Sequence, residues 1–120
     1  MLHEKRGKRA VISVGSIPEL LSLREQILEF EGYDVFSTAV PQEADLLITR
    51  RHYDVLLICY SVSVNWRKRL IENFRVNCPQ GRVVLITNRP VAQPAKDADA
   101  LVYGLDGPEA LMHAVTGKAA

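Results

Sequence analysis

Tyr53-Asp54-Val55-Leu56-Leu57-Ile58-Cys59-Tyr60, with Ser61-Val62-Ser63 after it, holds five consecutive apolar residues from Val55 to Cys59 and no polar alternation. A strand with one wet face alternates. An unbroken short run bounded by turn residues therefore predicts a strand covered on both faces, as in the parallel sheets of α/β domains. In open α/β sheets ligands gather outside the carboxyl ends of the strands. The residue at that end is Cys59, a thiol.

Working outward, Ser63 is placed to cap a helix whose inner stripe is Leu70, Ile71, Phe74 and Cys78, broken by Pro79 and Gly81. Arg82 to Thr87 is a second continuous apolar run and predicts another buried strand. Between Asn88 and Asp99, Pro90 and Pro94 leave room for only a short or irregular helix. Ala100 to Tyr103 reads as a strand. Gly104 and residues Asp106 to Pro108 open a last helix with Leu111, Met112 and Val115 inward, closing at Gly117.

Upstream, Arg9 to Val14 is a β-rich run ending at Gly15. Ser16 with Glu19 three residues on reads as a capping box, starting a helix with Leu20, Leu23, Ile27 and Phe30 inward, widened by Leu21 and Leu28, and stopped by Gly32. Asp34 to Thr38 is a more polar strand suited to a sheet edge. Pro41 starts a helix with Ala44, Leu47 and Ile48 inward and Arg50 and Arg51 in its last turn. Strand and helix thus alternate five times, which predicts a doubly wound parallel sheet with helices on both faces.

The chain of 120 residues is expected to form one domain, with a core spanning about residues 9–117. Its 48% hydrophobic and 24% charged content is that of an ordinary globular protein. Fifteen Lys and Arg against fourteen Asp and Glu give no global field that would argue for nucleic acid. The run Lys5, Arg6, Lys8 and Arg9 reads as a solvated tail. With no run long enough to span a bilayer and no signal-peptide core, a cytoplasmic location is expected. Cys59 and Cys78 lack zinc-ligand spacing and are too far apart along the intervening helix for a disulfide. His3, His52 and His113 are too scattered for a metal site or a catalytic dyad. Gly15-Ser16 lacks the further glycines or the lysine of a phosphate-binding loop.

From about Arg9 to Val115 the sequence resembles the receiver domain of bacterial two-component response regulators. The resemblance is carried by Val11 to Leu20, Glu31-Gly32-Tyr33-Asp34-Val35, Tyr53 to Cys59, Val83 to Thr87 and Ala100 to Tyr103, in that order and spacing. It implies a flavodoxin-like, five-stranded parallel sheet of order 2-1-3-4-5. Thr87 and Tyr103 are closer in sequence than in a typical receiver, so the helix between the fourth and fifth strands is expected to be short or missing.

The resemblance also implies a site. In that family an acid pair after the first strand holds Mg²⁺, and an aspartate ending the third strand takes a phosphoryl group from a histidine kinase. A hydroxyl ending the fourth strand senses it, and a lysine ending the fifth pairs with it. By position the acid pair falls on Gly15 and Ser16, the phosphoacceptor on Cys59, the switch hydroxyl on Thr87 and the lysine on Tyr103, followed by Gly104 where a proline is usual. No acid occurs from Lys5 to Pro18 or from Val55 to Ile71, so a small slip of register restores neither site.

The expected function is that of a degenerate receiver, a pseudo-receiver without enzymatic activity, metal or cofactor, acting in phosphorelay signalling through protein–protein contact. Its partner class is a signalling protein such as a histidine kinase or another regulator, with no nucleic acid and no membrane. A homodimer stays open. Trp66, beside Arg67, Lys68 and Arg69, and Tyr103 are the candidate partner contacts. The alternative is a small-ligand or thiol redox sensor using the vacated site at Cys59.

Overall fold

The computed structural model describes residues 8–90 and 97–117. Five strands, β1 (Ala10–Val14), β2 (Asp34–Thr38), β3 (Val55–Ile58), β4 (Arg82–Thr87) and β5 (Ala100–Tyr103), form one parallel sheet of order β2-β1-β3-β4-β5. Four helices are described, α1 (Pro18–Phe30), α2 (Pro41–Arg50), α3 (Val64–Asn77) and α4 (Gly107–Thr116), the last preceded by a single 3₁₀ turn. The flavodoxin-like topology expected from the sequence is the one found. Residues 91–96, with Pro94 and most of the expected short helix, lie outside the described residues, as do His3, Lys5 and Arg6.

The unbroken apolar runs are explained by two cores, one on each face. Successive side chains of a strand point to opposite faces. Ile12, Val14, Leu56, Ile58, Val83 and Leu85 meet α2 and α3 on one side, around Ala44, Ile48, Leu70, Ile71 and Phe74. Val11, Val55, Leu57, Val84, Ile86 and Val102 meet α1 and α4 on the other, around Leu28, Leu111, Ala114 and Val115. Each strand feeds both cores, so neither can be repacked alone.

The amino ends of the strands are tied by carboxylates. Asp54 accepts from the Ala10 amide (2.7 Å), and Asp99 accepts from the Val83 amide (2.7 Å) and from Arg75 (3.0 Å). Burial raises the Asp99 carboxyl, but the Val83 amide with Arg75 and Arg82 holds it below the ordinary carboxylate range. At the other end Ser63 caps α3 as expected, its hydroxyl accepting from the Trp66 amide (3.3 Å). Both cysteines are free and buried.

Two readings of α1 are corrected. Ser16 is not its cap: Ile17 holds the cap position with no side-chain bond, and Pro18 fills the first helical position, where a fixed φ and an absent N–H suit it. The buried face is also rotated: α1 carries two overlapping apolar stripes, and packing on the sheet selects the one through Leu21 and Leu28. Leu21, Arg24 and Leu28, at spacings of three and four, face the sheet. Leu23 is 53% exposed and Phe30 88% exposed. Gly32, at φ 97°, still ends the helix.

Leu28→Ala is therefore expected to cost about 2–5 kcal/mol in urea unfolding. Leu23→Ala should stay within about 0.5 kcal/mol of the parent. Equal losses would contradict the rotated face.

Candidate functional site

The carboxyl ends of β1, β3, β4 and β5 bring Gly15, Cys59, Thr87 and Tyr103 to one crest of the sheet, Thr87 lying opposite Tyr103 in register. Gly15 is buried, and a Cβ added there would come within 2.8 Å of the Cys59 Cβ. The position where the receiver resemblance places an acid thus has no room for even a methyl group beside Cys59. Ser16 is exposed, and its amide donates to the Ser61 hydroxyl (2.9 Å), which ties the β1 loop to the β3 loop.

Cys59 is 3% exposed and its amide donates to the Val14 carbonyl (2.9 Å). Burial pushes its thiol up, but the hydroxyl and amide of Ser61 and the guanidinium of Arg24 outweigh that and hold it below the ordinary thiol range. Arg24 itself is only 7% exposed. Helical side chains lean toward the helix N-terminus, so an arginine a turn and a half into α1 reaches back to the crest. A guanidinium does not deprotonate in a protein, so it carries a buried positive charge beside the sulfur.

Thr87 is half-buried, and its hydroxyl donates to the Arg89 carbonyl (2.9 Å) with the Val102 carbonyl at 3.4 Å. Tyr103 is half-buried. Trp66 is half-buried against the core below α3, with the Arg69 guanidinium 5.3 Å from its ring. It lies on the α3 side of the molecule, away from Tyr103 at the end of β5.

Two pockets open at the crest. One, of about 280 Å³, is lined by Cys59, Tyr60, Arg67, Thr87, Asn88 and Arg89. The other, of about 210 Å³, shares Tyr60, Thr87 and Asn88 and adds Arg24, Tyr103 and Gly104. Among the described residues no carboxylate lines either one. The Nε of Arg67 is buried without a hydrogen-bond partner. Mg²⁺ requires hard oxygen ligands, normally with carboxylates among them, and a crest of three arginines and a thiol does not suit it. Among the described residues no group of three or more His, Cys, Asp or Glu could hold a metal ion, and no helix is long and apolar enough to cross a membrane.

Sequence reasoning placed Gly15, Cys59, Thr87 and Tyr103, but missed Arg24 and Arg67. The spacing Leu21–Arg24–Leu28 is the available signal for Arg24, since it puts the arginine on an otherwise apolar face. Arg67 shows no comparable signal, because it sits in the run Arg67-Lys68-Arg69, which the sequence reads only as a basic cluster beside Trp66.

No family model matches the chain, and no curated protein matches it. Solved structures do. A response regulator receiver domain protein (CheY-like) from Methanospirillum hungatei is 20% identical with a TM-score of 0.78, covering 92% of this chain and 93% of that one. The chemotaxis protein CheY4 of Vibrio cholerae is 15% identical with a TM-score of 0.80, covering 92% and 98%. A response regulator of Thermotoga maritima, crystallised in complex with Mg²⁺ and BeF, is 17% identical with a TM-score of 0.77, covering 91% and 97%. These likenesses establish the receiver fold for this chain.

The close approach at Gly15 yields a direct check. Gly15→Ala should lower stability by about 1–3 kcal/mol in denaturant unfolding, because β1 and β3 must part to admit the methyl group. In a double-mutant cycle with Cys59→Gly, the two substitutions should be less costly together than the sum of each alone. Strict additivity would mean the contact is not what limits position 15.

Proposed function

We propose that this chain is a receiver-fold signalling module that no longer takes a phosphoryl group, a pseudo-receiver acting in bacterial phosphorelay signalling by protein–protein contact. The observation that carries the reading is the crest itself. A thiol stands at the acceptor position, a glycine with no room for a side chain stands at an acid position, and the nearby charges are guanidinium groups. A thiol cannot become an acyl phosphate. Guanidinium groups at the crest oppose the divalent cation that neutralises charge on a phosphoryl group in transfer. Tyr103 stands where a lysine would pair with that group, and it carries no charge to do so.

On this reading the protein works in the cytoplasm as one domain over residues 1–120, without enzymatic activity. Its partner is another signalling protein, a histidine kinase or a regulator, or a second copy of the chain. Half-buried aromatic rings with a polar edge suit such contacts, and Trp66 and Tyr103 are the residues we assign to them.

Incubation with Mg²⁺ and acetyl phosphate, read by intact mass, should give no phosphoryl adduct. Cys59→Asp should give none either, because the acid pair and the lysine are still absent and the new carboxylate would face Arg24. An adduct on the parent chain that disappears with EDTA would overturn the proposal.

A thiol redox sensor is the second reading, favoured by the lowered thiol pKa of Cys59. The 3% exposure of that thiol weighs against it, since alkylation would wait on local opening. In the folded protein Cys59 is expected to react with iodoacetamide no faster than Cys78. Markedly faster labelling of Cys59 would favour the sensor.

A further inference from the structure

We propose that the cavity at the ends of β3 and β4 binds a small phosphate group, held non-covalently and without metal. This rests on the pseudo-receiver reading and names the occupant of its vacated site. Arg67 and Arg89 line the cavity, and Arg24 lines the pocket adjoining it. Among the described residues no carboxylate pairs with any of the three, the ion pairs being His52–Asp54, Arg69–Asp45 and Arg75–Asp99.

The Arg67 side chain lines the cavity, and its Nε, buried within the protein, has no hydrogen-bond partner among the described residues. A guanidinium left without a full set of partners is costly, and an anion bound on its accessible side lowers that cost through its charge. A guanidinium presents a planar fork that matches phosphate oxygens two at a time. Thr87 and Asn88 add polar side chains to the same wall.

Size and charge narrow the ligand. The cavity of about 280 Å³ falls at the small end of ligand pockets, so it suits inorganic phosphate or a short phosphomonoester and not a nucleotide. Three arginines with no acid among them favour a dianion over a carboxylate.

The test is calorimetric titration and thermal unfolding of the full chain with inorganic phosphate, in EDTA and at constant ionic strength set with sodium chloride. Binding should be saturable and the melting temperature should rise with phosphate. Arg67→Gln should weaken binding by roughly tenfold or more, as expected for a lost hydrogen bond to a charged group. Arg89→Gln, at an exposed residue whose loss does not threaten folding, should weaken it too. Lys68→Gln, on the outer face of the same helix, should bind as the parent does. Glycerol phosphate binding more tightly than inorganic phosphate would assign the site to a phosphomonoester, and the reverse order to phosphate itself.

A phosphate response no larger than that to chloride, or affinity unchanged in both arginine variants, would overturn the proposal. Intact mass of the chain incubated separately with Mg²⁺ and acetyl phosphate separates the two readings. Absent binding with no covalent adduct sinks the anion site alone, whereas a covalent adduct sinks the pseudo-receiver.

Discussion

The two-sided burial of β3 is the constraint on which the rest of this molecule depends. Leu56 and Ile58 belong to the core under α2 and α3, and Val55 and Leu57 to the core under α1 and α4. A strand in that position has little room for polar side chains until it leaves the sheet. Chemistry is therefore displaced to its carboxyl end, where Cys59 is still 3% exposed and Tyr60 already reaches solvent. The neighbouring strands end at the same level because they are parallel and in register. A crest with Gly15, Thr87 and Tyr103 beside Cys59 follows from the topology.

What the crest does is set by charge. The groups at the crest are a thiol, hydroxyls and arginines. Arg24 is buried where an apolar side chain would fill the helix face with less desolvation cost. Its guanidinium hydrogen-bonds the Cys59 sulfur, which gives that charge a polar partner in place. The steric side agrees: Gly15 and Cys59 are close enough that a side chain at one excludes a side chain at the other.

Much of the fold could be read in the sequence because its signals are local. Unbroken runs such as Val83 to Ile86, proline at the first position of α2 and Ser63 before α3 each determine a stretch from neighbours alone. The readings that failed were those in which two local signals competed. Ser16 and Glu19 form a plausible capping box, but Pro18 lies between them and fixes the start of α1. Separately, α1 carries two overlapping apolar stripes, and packing on the sheet buries Leu21, Arg24 and Leu28 and leaves Leu23 and Phe30 to water.

By itself the sequence determined the alternation of strand and helix, the order of the sheet through its family resemblance, and the positions that reach the crest. It also determined what is missing there, since the absence of acids from Lys5 to Pro18 and from Val55 to Ile71 requires no coordinates. Only the tertiary structure decided that Arg24 comes to lie beside Cys59 and that Arg67 lines the cavity at the same crest. The reason is that both are long, flexible side chains on helices. Their Cα positions follow from local periodicity, but where a guanidinium ends depends on the cavity that other strands leave for it.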